Sequence, residues 1–391
     1  MEHHIPFSES PTREHLAHST ENLKTDELLI NMGPQHPSTH GVLRVVITTD
    51  GEIVTSAIPE IGYLHRCFDK HCENVDWMGV APYVDRLDYL ASMNNAHGYA
   101  IAVEKMLGLE VPRRAEYIRV LMAELQRIAS HLMSFGTYGL DMGAFTAFMY
   151  GFRDREKILD IFEMVSGARL LYNFMWIGGT ARDITPEIVA RIVEFIDYFE
   201  PKVEEYNTLL TYNKIFVERT KHIGIVDLPT ALSYGMTGVM LRGAGFKWDL
   251  RKDAPYSIYP ELEFDIPVAS GEMGTLGDCW DRHIVRMREM QQSVRMIRQL
   301  LERIPEGPHR GKIGKVIKVP AGEIYSRTEC PRGELAFHII SDGGPKPFRV
   351  HCKSPCFLNI SALDELSKGV MVADLIATIG SLDIVLGEVD R

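Results

Sequence analysis

The sequence predicts an α+β protein that is mainly helical, with a central bundle of long helices between two regions of antiparallel β structure. Apolar residues recur with helical spacing through the middle of the chain, whereas extended, turn-bounded segments precede and follow it. The 391 residues are 45% hydrophobic and 24% charged, which is typical of a folded chain with a large core. No internal repeat interrupts this order.

The chain divides into four predicted regions. Residues 1–26 form a flexible polar arm, residues 27–82 a β domain, residues 83–310 the helical bundle, and residues 311–391 an α+β segment that packs back on the bundle. Within the β domain, two extended runs flank the dipeptide Asp50-Gly51, which is a strong hairpin signal. These runs are Val42–Thr48 and Glu52–Ile58.

Long helices are predicted from apolar periodicity and from the residues at their ends. Gly108 and Pro112 close the first helix, and Pro186 suits the first turn of the fourth. The predicted helices are Asp85–Leu107, Arg113–Phe135, Glu156–Leu171, Pro186–Leu209 and Asp281–Arg303. After Pro308 the chain is predicted to be extended in four short segments, with a Gly-Gly-Pro turn between the last two, and then to end in helix.

Charge and hydropathy disfavour two classes of protein. A formal net charge of -11 is opposite in sign to the basic face that nucleic-acid-binding proteins present. No apolar run reaches the roughly 20 residues that a transmembrane helix needs, and the start of the chain lacks the apolar core of a signal peptide. We therefore expect a chain in the cytoplasm or on the cytoplasmic side of a membrane, with no nucleic acid as partner.

The common cofactor motifs are incomplete. The glycines around residue 244 lack the third glycine of a dinucleotide fingerprint, and the segment 307–312 has the wrong spacing for a P-loop. Neither of the two close cysteine pairs has the further ligands that a metal or iron–sulfur site needs. The six cysteines, Cys67, Cys72, Cys279, Cys330, Cys352 and Cys356, are too sparse for a disulfide framework and are expected to be free thiols. We expect no metal or flavin on this chain.

Polar residues in three places invite a functional interpretation. His36 and His40 lie in a loop fixed by two prolines, where they either cap backbone groups or form a metal pair, and Pro37 disfavours the helix that such a pair would need. The acids of the segment 85–90 suit a site or simply a helix N-terminus. Asp141 stands among glycines and apolar residues, so its carboxylate needs a partner.

Seven segments together resemble the D-subunit family of complex I, the respiratory NADH:quinone oxidoreductase. They are MGPQHPSTHG, IPEIGYLHR, PYVDRLDYL, RAEYIRVLMAELQRIASHL, GLDMGAFTAFMYGFRDRE, RGELAFHIISDGG and SLDIVLGEVDR. The resemblance runs from about Leu28 to the last residue, so it leaves the polar arm uncovered. It implies a fold like that of the nickel–iron hydrogenase large subunit, to which this family is related.

In the hydrogenases, two Cys-x-x-Cys pairs hold the nickel and iron. The first pair aligns here with Asp88 and Ala91, and the second with Val385 and Glu388. Without four thiolates the resemblance implies no nickel–iron centre. In the family, the pocket holds the headgroup of a quinone instead.

The family's functional residues fall on four positions of this chain. His40 and Tyr89 match the ligands of the quinone headgroup, and Asp141 matches the acid that pairs with His40. Arg66 matches a residue beside the terminal iron–sulfur cluster of a neighbouring subunit. The resemblance thus assigns His40, Tyr89 and Asp141 catalytic roles and gives Arg66 a role near the partner's cluster.

The resemblance also implies partners and a location. The expected partners are the cluster-bearing B subunit, the C subunit, the membrane subunits H and A, and the I subunit, with NADH bound elsewhere in the complex. The substrate would be ubiquinone or menaquinone, and the chain would lie peripherally on the cytoplasmic side of a bacterial inner membrane and couple quinone reduction to proton translocation. Three alternatives stay open: a hydrogenase large subunit, a metal-free scaffold subunit, and a related ferredoxin-driven complex.

The sequence departs from the family pattern at three positions. Leu171 replaces a histidine that the family links to the proton-coupled potential of the partner's cluster, and Trp176 replaces an arginine. Ile384 stands where proline is common. The first departure predicts a cluster potential that varies little with pH.

Overall fold

The N-terminal strands form a three-stranded antiparallel sheet in the order β1-β2-β3. They are β1 (Glu27–Met32), β2 (Arg44–Asp50) and β3 (Ile53–Glu60). The computed structural model describes residues 27–391, so the predicted polar arm lies outside the described residues. The predicted hairpin is present, and Gly51 takes the left-handed conformation at its turn, with φ 60°.

The two edges of this sheet differ. The outer edge of β3 is covered, because Val54 donates a hydrogen bond to the Val370 carbonyl (2.8 Å) and accepts one from the Gly369 amide (2.8 Å). Strand β1 was not predicted, and it carries exposed Leu28 and Leu29. Its outer edge pairs with no strand among residues 27–391.

The first predicted helix is wrong at its N-terminal end. After α1 (Phe68–Cys72), a short helix α2 (Ala81–Asp85) stops at Asp85, and α3 begins only at Ser92 and runs to Leu107. Asp88 explains the break, because its Oδ1 accepts a hydrogen bond from the Leu90 amide (3.0 Å). Side-chain bonds of this kind compete with helical hydrogen bonding and favour a turn.

The bundle is built around α4 (Arg113–Asp141), which packs against α5 (Phe145–Ser166) and α12 (Cys279–Arg303). Helix α4 extends beyond the predicted end at Phe135. Glycines in its last two turns let α5 approach closely, and a Cβ at Gly139 would lie 2.9 Å from the Ala147 Cβ. Helix α5 begins eleven residues earlier than predicted, at Phe145, and ends at Ser166.

Shorter elements connect these helices. A small hairpin, β4 (Met175–Trp176) and β5 (Gly179–Thr180), is followed by α6 (Pro186–Phe199) and α7 (Lys202–Tyr206). The predicted helix over residues 186–209 is thus divided, with Pro201 between its parts. A π-helix (Asn207–Thr211) follows α7 directly, and a 3-10 helix (Tyr259–Glu261) lies closer to α12. The remaining α-helices before α12 are α8 (Lys214–Thr220), α9 (Leu228–Ser233), α10 (Gly238–Gly243) and α11 (Leu250–Asp253).

The C-terminal segment contains a second three-stranded antiparallel sheet and four helices. The strands are β6 (Gly322–Cys330), β7 (Gly333–Ser341) and β8 (Arg349–Lys353), and the predicted extended run at residues 315–320 is not a strand. The helices are α13 (Pro355–Ser361), α14 (Leu363–Ser367), α15 (Val372–Leu382) and α16 (Leu386–Asp390). Because α15 packs on α4 and α12, the end of the chain lies against the bundle.

The core of the bundle contains charged side chains as well as apolar ones. Arg242 is fully buried, and its guanidinium contacts the carboxylates of Glu289 (2.6 Å), Glu329 (2.9 Å) and Asp249 (3.6 Å). Although burial opposes the charge of Arg242, Glu289 and Glu329 hold its pKa above the ordinary value. Buried charges persist only when they are paired in this way. In the described part of the chain, no helix combines the length and apolar content that a bilayer crossing requires.

Candidate functional site

The loop between β1 and β2 places its two histidines differently. Residues Pro37–Thr39 form one 3-10 turn, and His36 caps it by accepting a hydrogen bond from the Ser38 amide at Nδ1 (3.2 Å). His40 ends the turn in the left-handed conformation, with φ 49°. His36 therefore caps a backbone group, as one of the two interpretations of this loop expected. The imidazole of His40 instead contacts a residue outside the loop.

That partner is Asp141, the last residue of α4. His40 Nε2 lies 3.3 Å from Asp141 Oδ2, and both side chains are largely buried. The distance is that of an ion pair, but the two groups are not aligned for a hydrogen bond. Neither atom has a hydrogen-bond partner among residues 27–391. Helix α15 packs beside the pair, since a Cβ at Gly380 would lie 3.0 Å from Asp141 Oδ2. The pair thus keeps unused hydrogen-bonding capacity.

Tyr89 lies in the turn between α2 and α3. Its ring is partly buried against the apolar cluster that also contains Val42 and Leu43, the residues that follow the His40 loop. Burial and the neighbouring Asp88 carboxylate raise the pKa of Tyr89, while Arg332 and Arg66 oppose this shift. The phenol is therefore held in its protonated form at neutral pH, and no hydrogen bond joins it to His40 within the described residues.

Arg332 occupies the two-residue turn between β6 and β7, and its guanidinium binds three elements. It donates to Asp88 Oδ2 (2.8 Å), to Ser130 Oγ (2.8 Å) and to the main-chain oxygen of Asp383 (2.9 Å). Its Nη2 also lies 3.3 Å from Asp383 Oδ1. The arginine therefore ties the Tyr89 turn to α4 and to the C-terminal segment.

Glu388 is a further buried acid in this region. Burial, together with the charge of Asp88, raises the pKa of Glu388 to about 8, although Arg332 opposes the shift. Cys356 lies beside it, and the Cys356 sulfur also accepts a hydrogen bond from the Val385 amide (3.4 Å). Glu388 is thus protonated through much of the neutral range.

The two segments that align with the hydrogenase thiolate pairs lie against each other. A Cβ at Gly387 would be 2.7 Å from the Leu87 carbonyl oxygen, so only glycine allows this approach. Within residues 27–391, no group of three His, Cys, Asp or Glu side chains is arranged to hold a metal ion.

Sequence reasoning missed Arg332 and Cys356 as neighbours of Tyr89, and Asp383 as a partner of Arg332. Arg332 and Asp383 stand in the segments RGELAFHIISDGG and SLDIVLGEVDR, which resemble the family but carried no role for these two residues. An arginine in a two-residue turn between apolar strands was the available signal, because an arginine is rarely buried without carboxylate partners.

Arg66 lines a cavity of about 170 Å³ together with Tyr83, Arg86 and Arg391. The C-terminal residues fix this loop, since Arg391 accepts a hydrogen bond from the Arg66 amide (3.1 Å) and Asp390 accepts one from the Leu64 amide (2.6 Å). Arg66 itself donates to the Arg86 carbonyl. Three guanidinium groups make this cavity strongly cationic.

Comparison with known proteins decides the family. A family model described as "Respiratory-chain NADH dehydrogenase, 49 Kd subunit" matches residues 141–318 and 309–391, which is more than half of the chain. The chain belongs to this family. It is therefore one subunit of a multisubunit NADH:quinone oxidoreductase, and the recognition made from sequence motifs is confirmed.

Relatives within the 49 kDa family are similar over nearly their whole length. A Chlorobaculum tepidum protein, named as the D subunit of NADH-quinone oxidoreductase, is 55% identical over 374 residues, which cover 95% of this chain and 94% of that protein. A protein of the same name from Pelodictyon phaeoclathratiforme is 56% identical over the same length. One from Chlorobium chlorochromatii is 53% identical over 397 aligned positions, covering 100% of this chain and 99% of its own. The predicted α+β fold class is likewise confirmed.

Leu171 and Trp176, the two positions at which the resemblance led us to expect a departure from the family pattern, lie five residues apart in the chain. Leu171 has a left-handed backbone, with φ 59°, and its side chain cannot exchange a proton. The Trp176 ring stacks under the Arg310 guanidinium, 4.6 Å from the ring centroid, and its Nε1 donates to the Asn173 carbonyl (2.8 Å). Trp176 therefore has structural partners of its own.

The leucine at position 171 leads to a prediction about the terminal iron–sulfur cluster that the resemblance assigns to a neighbouring subunit. We expect its midpoint potential in the assembled complex to change little between pH 6 and pH 8, because the histidine that would take up a proton on reduction is absent. A redox titration followed by electron paramagnetic resonance would measure this. A slope of about 59 mV per pH unit, the value for one proton per electron, would contradict it and implicate Asp85, whose pKa burial raises to about 7.

Proposed function

We propose that this chain forms the headgroup site of a quinone and supplies the groups that protonate it. The observation that carries the proposal is the contact between His40 Nε2 and Asp141 Oδ2, both largely buried and both with unused hydrogen-bonding capacity. A buried pair left in this state is suited to a third polar group, such as a quinone carbonyl oxygen. Membership of the 49 kDa family supports the same substrate.

The chemistry assigns complementary roles to His40 and Tyr89. A quinone that accepts two electrons also binds two protons, one at each carbonyl oxygen, so a donor is needed at each end. Tyr89 keeps its proton until a strongly basic oxygen faces it, because its pKa is raised. The Asp141 carboxylate lies 3.3 Å from His40 Nε2 and fixes the position of that imidazole. Protons therefore leave these side chains only after electrons reach the quinone.

We place the electron entry at the cationic cavity around Arg66. The electrons come from the terminal iron–sulfur cluster of the cluster-bearing B subunit, with NADH oxidised elsewhere in the complex. The positive charges of Arg66, Arg86 and Arg391 would favour the reduced, more negative form of such a cluster. Arg66 is only partly buried, and burial with the nearby Arg86 lowers its pKa without removing its charge.

We propose that an apolar surface beside Asp141 contacts a membrane subunit. It consists of exposed large side chains at the junction of α4 and α5 and on α8, namely Leu140, Phe145, Met149 and Ile215. Exposed apolar patches of this kind mark contacts with other proteins or with lipid. The H and A subunits are the proposed membrane partners. The C and I subunits are the other proposed partners, besides the cluster-bearing B subunit. The chain would then lie peripherally on the cytoplasmic side of a bacterial inner membrane and use ubiquinone or menaquinone.

Coupling to proton translocation is assigned to Asp141. When His40 gives its proton to the reduced quinone, the negative charge of Asp141 is no longer balanced. Because Asp141 ends α4 beside the proposed membrane-facing surface, this unbalanced charge is the first signal that the membrane subunits receive. In this proposal, the loss of a proton from His40 and the appearance of an unbalanced charge at Asp141 are therefore the same event.

The Tyr89→Phe variant tests the headgroup site. We expect kcat/KM for quinone reduction by the assembled complex to fall about tenfold, because one hydrogen bond to the substrate, worth about 1.4 kcal/mol, is lost. NADH oxidation by an artificial acceptor that bypasses the quinone site should be unchanged. Steady-state kinetics with a soluble short-chain quinone measure both.

A matched control is Tyr63→Phe, since Tyr63 is an exposed tyrosine in the loop before Arg66. It should leave both activities at the wild-type level. If Tyr89→Phe also left quinone kinetics unchanged, the headgroup would bind elsewhere and the chain would be a scaffold subunit.

A further inference from the structure

Glu388 has no cation of its own. The arginine in its neighbourhood, Arg332, is already paired with Asp88 (2.8 Å) and Asp383 (3.3 Å). Among residues 27–391, no Lys, Arg or His forms an ion pair with Glu388, and its buried Oε2 has no hydrogen-bond partner. An unpaired buried carboxylate is so costly that the group remains a neutral acid.

Glu388 and Tyr89 share the same charged and polar neighbours. Asp88, Arg332 and Cys356 each contribute to the electrostatic environment of both groups. Cys356 stands in the first turn of α13, and its thiol borders the Glu388 carboxyl group. The segments that carry the two residues also adjoin in the fold, because Tyr89 packs on the apolar cluster that contains Cys356, and a Cβ at Gly387 would lie 2.7 Å from the Leu87 carbonyl oxygen.

We propose that Glu388 is the internal acid that returns a proton to Tyr89 after Tyr89 has protonated the reduced quinone. This inference rests on the proposed function, because it needs Tyr89 to act as a donor. It assigns Glu388 a role that acts through Tyr89, without contact between Glu388 and the substrate. The site is distinct from the His40 and Asp141 pair, which serves the other carbonyl oxygen.

The protons and charges of the step balance. Two electrons from the partner's cluster reduce the quinone, and the O–H bond of Tyr89 breaks as its proton binds to one quinone oxygen, which leaves a phenolate. The Glu388 O–H bond then breaks. Its proton binds to the Cys356 sulfur while the thiol releases its own proton to the phenolate oxygen. Tyr89 is restored, and Glu388 remains as a carboxylate near Arg332 until a proton from the solvent neutralises it.

The surroundings of Glu388 favour this direction of transfer. The pKa of Glu388 is raised to about 8 by burial and by Asp88, whereas that of Tyr89 is raised above 10, so the phenolate is the stronger base. The nearby cation of Arg332 stabilises the carboxylate that forms. The groups that face Glu388 are Asp88 before α3, Cys330 on β6, Arg332 in the β6–β7 turn, Cys352 on β8, and Ser354 and Cys356 at the start of α13.

Glu388→Gln is the decisive variant, because glutamine has the shape of the protonated acid but no proton to give. In the assembled complex we expect kcat for quinone reduction to fall about tenfold, with KM within twofold of wild type and unchanged artificial-acceptor activity. In the wild type, kcat should decline above about pH 8 as Glu388 loses its proton before turnover. This alkaline decline should be absent from Glu388→Gln.

Two further variants separate this role from a structural one. Glu388→Asp keeps an acid and should recover most of kcat, whereas Glu365→Gln, at an exposed glutamate of α14, should match wild type. In a Tyr89→Phe background, Glu388→Gln should cause no further loss, because the two residues act in series.

Either of two results would overturn the inference: wild-type kcat in Glu388→Gln, or a kcat loss that keeps the alkaline decline. If Tyr89→Phe is impaired while Glu388→Gln equals wild type, the inference alone fails. If Tyr89→Phe itself has wild-type kinetics, the proposed function fails as well.

Discussion

Replacing Arg242 by methionine is expected to remove nearly all assembled complex from the membrane. The substitution leaves three buried carboxylates without this guanidinium, and Arg242 is the one cation paired with Glu329 among residues 27–391. Removing one partner of a buried ion pair costs about 3–5 kcal/mol, a large fraction of the stability of a typical domain. Immunoblots of the protein and artificial-acceptor activity in membranes would measure the loss.

Arg169 provides the matched control, because it also binds three carboxylates but at the surface. Its guanidinium contacts Asp160 (2.6 Å), Glu163 (2.9 Å) and Glu156. Solvent screens these contacts, so Arg169→Met should leave the amount of complex near that of wild type. Equal amounts of complex in both variants would show that the buried network is not needed for folding.

The second large effect is expected from Asp141→Asn. Asparagine keeps the size of the side chain but removes the negative charge that lies 3.3 Å from His40 Nε2. General acid catalysis contributes about 10²–10⁴-fold to rates, so we expect quinone reduction to fall about a hundredfold. We also expect fewer protons pumped per electron in the remaining turnover. Proton uptake by inverted membrane vesicles, measured beside quinone reduction, would give this ratio.

Asp160→Asn is a suitable control, since Asp160 is a half-exposed acid on α5 whose one ion-pair partner among residues 27–391 is Arg169. It should change neither the rate nor the proton yield. An Asp141→Asn complex with a wild-type proton yield per electron would refute the coupling role of this residue, even if its rate were low.

The sequence predicted those elements that local signals determine. The Asp-Gly hairpin and the positions of α4 and α12 follow from turn chemistry and apolar periodicity, and the structure agrees with them within a few residues except at the C-terminal end of α4. The helix predicted from Asp85 failed because the Asp88 side chain is held both by the Leu90 amide in its own turn and by a contact distant in sequence. Asp88 binds Arg332, which is 244 residues away, and no periodicity around Asp88 reports that partner.

For the candidate site too, some features could be predicted from the sequence and others could not. His40, Tyr89, Asp141 and Arg66 were identified through resemblance to a family, since each residue taken alone had an ordinary structural interpretation. The approach of His40 to Asp141 joins a loop to a helix end about 100 residues later, and the environment of Glu388 joins four segments of the chain. Such contacts between distant segments are determined by tertiary packing, so residue type and spacing in the sequence could not predict them.

The open edge of β1 has a consequence for how the complex is made. Within residues 27–391 no strand pairs with this edge, so before the partners bind this part of the chain presents a row of unpaired backbone groups next to Leu28 and Leu29. Such an edge readily pairs with strands of other chains, which leads to aggregation. Expression of this protein alone should therefore yield mostly insoluble material, and its yield in the cell depends on the timing of assembly as much as on its own folding.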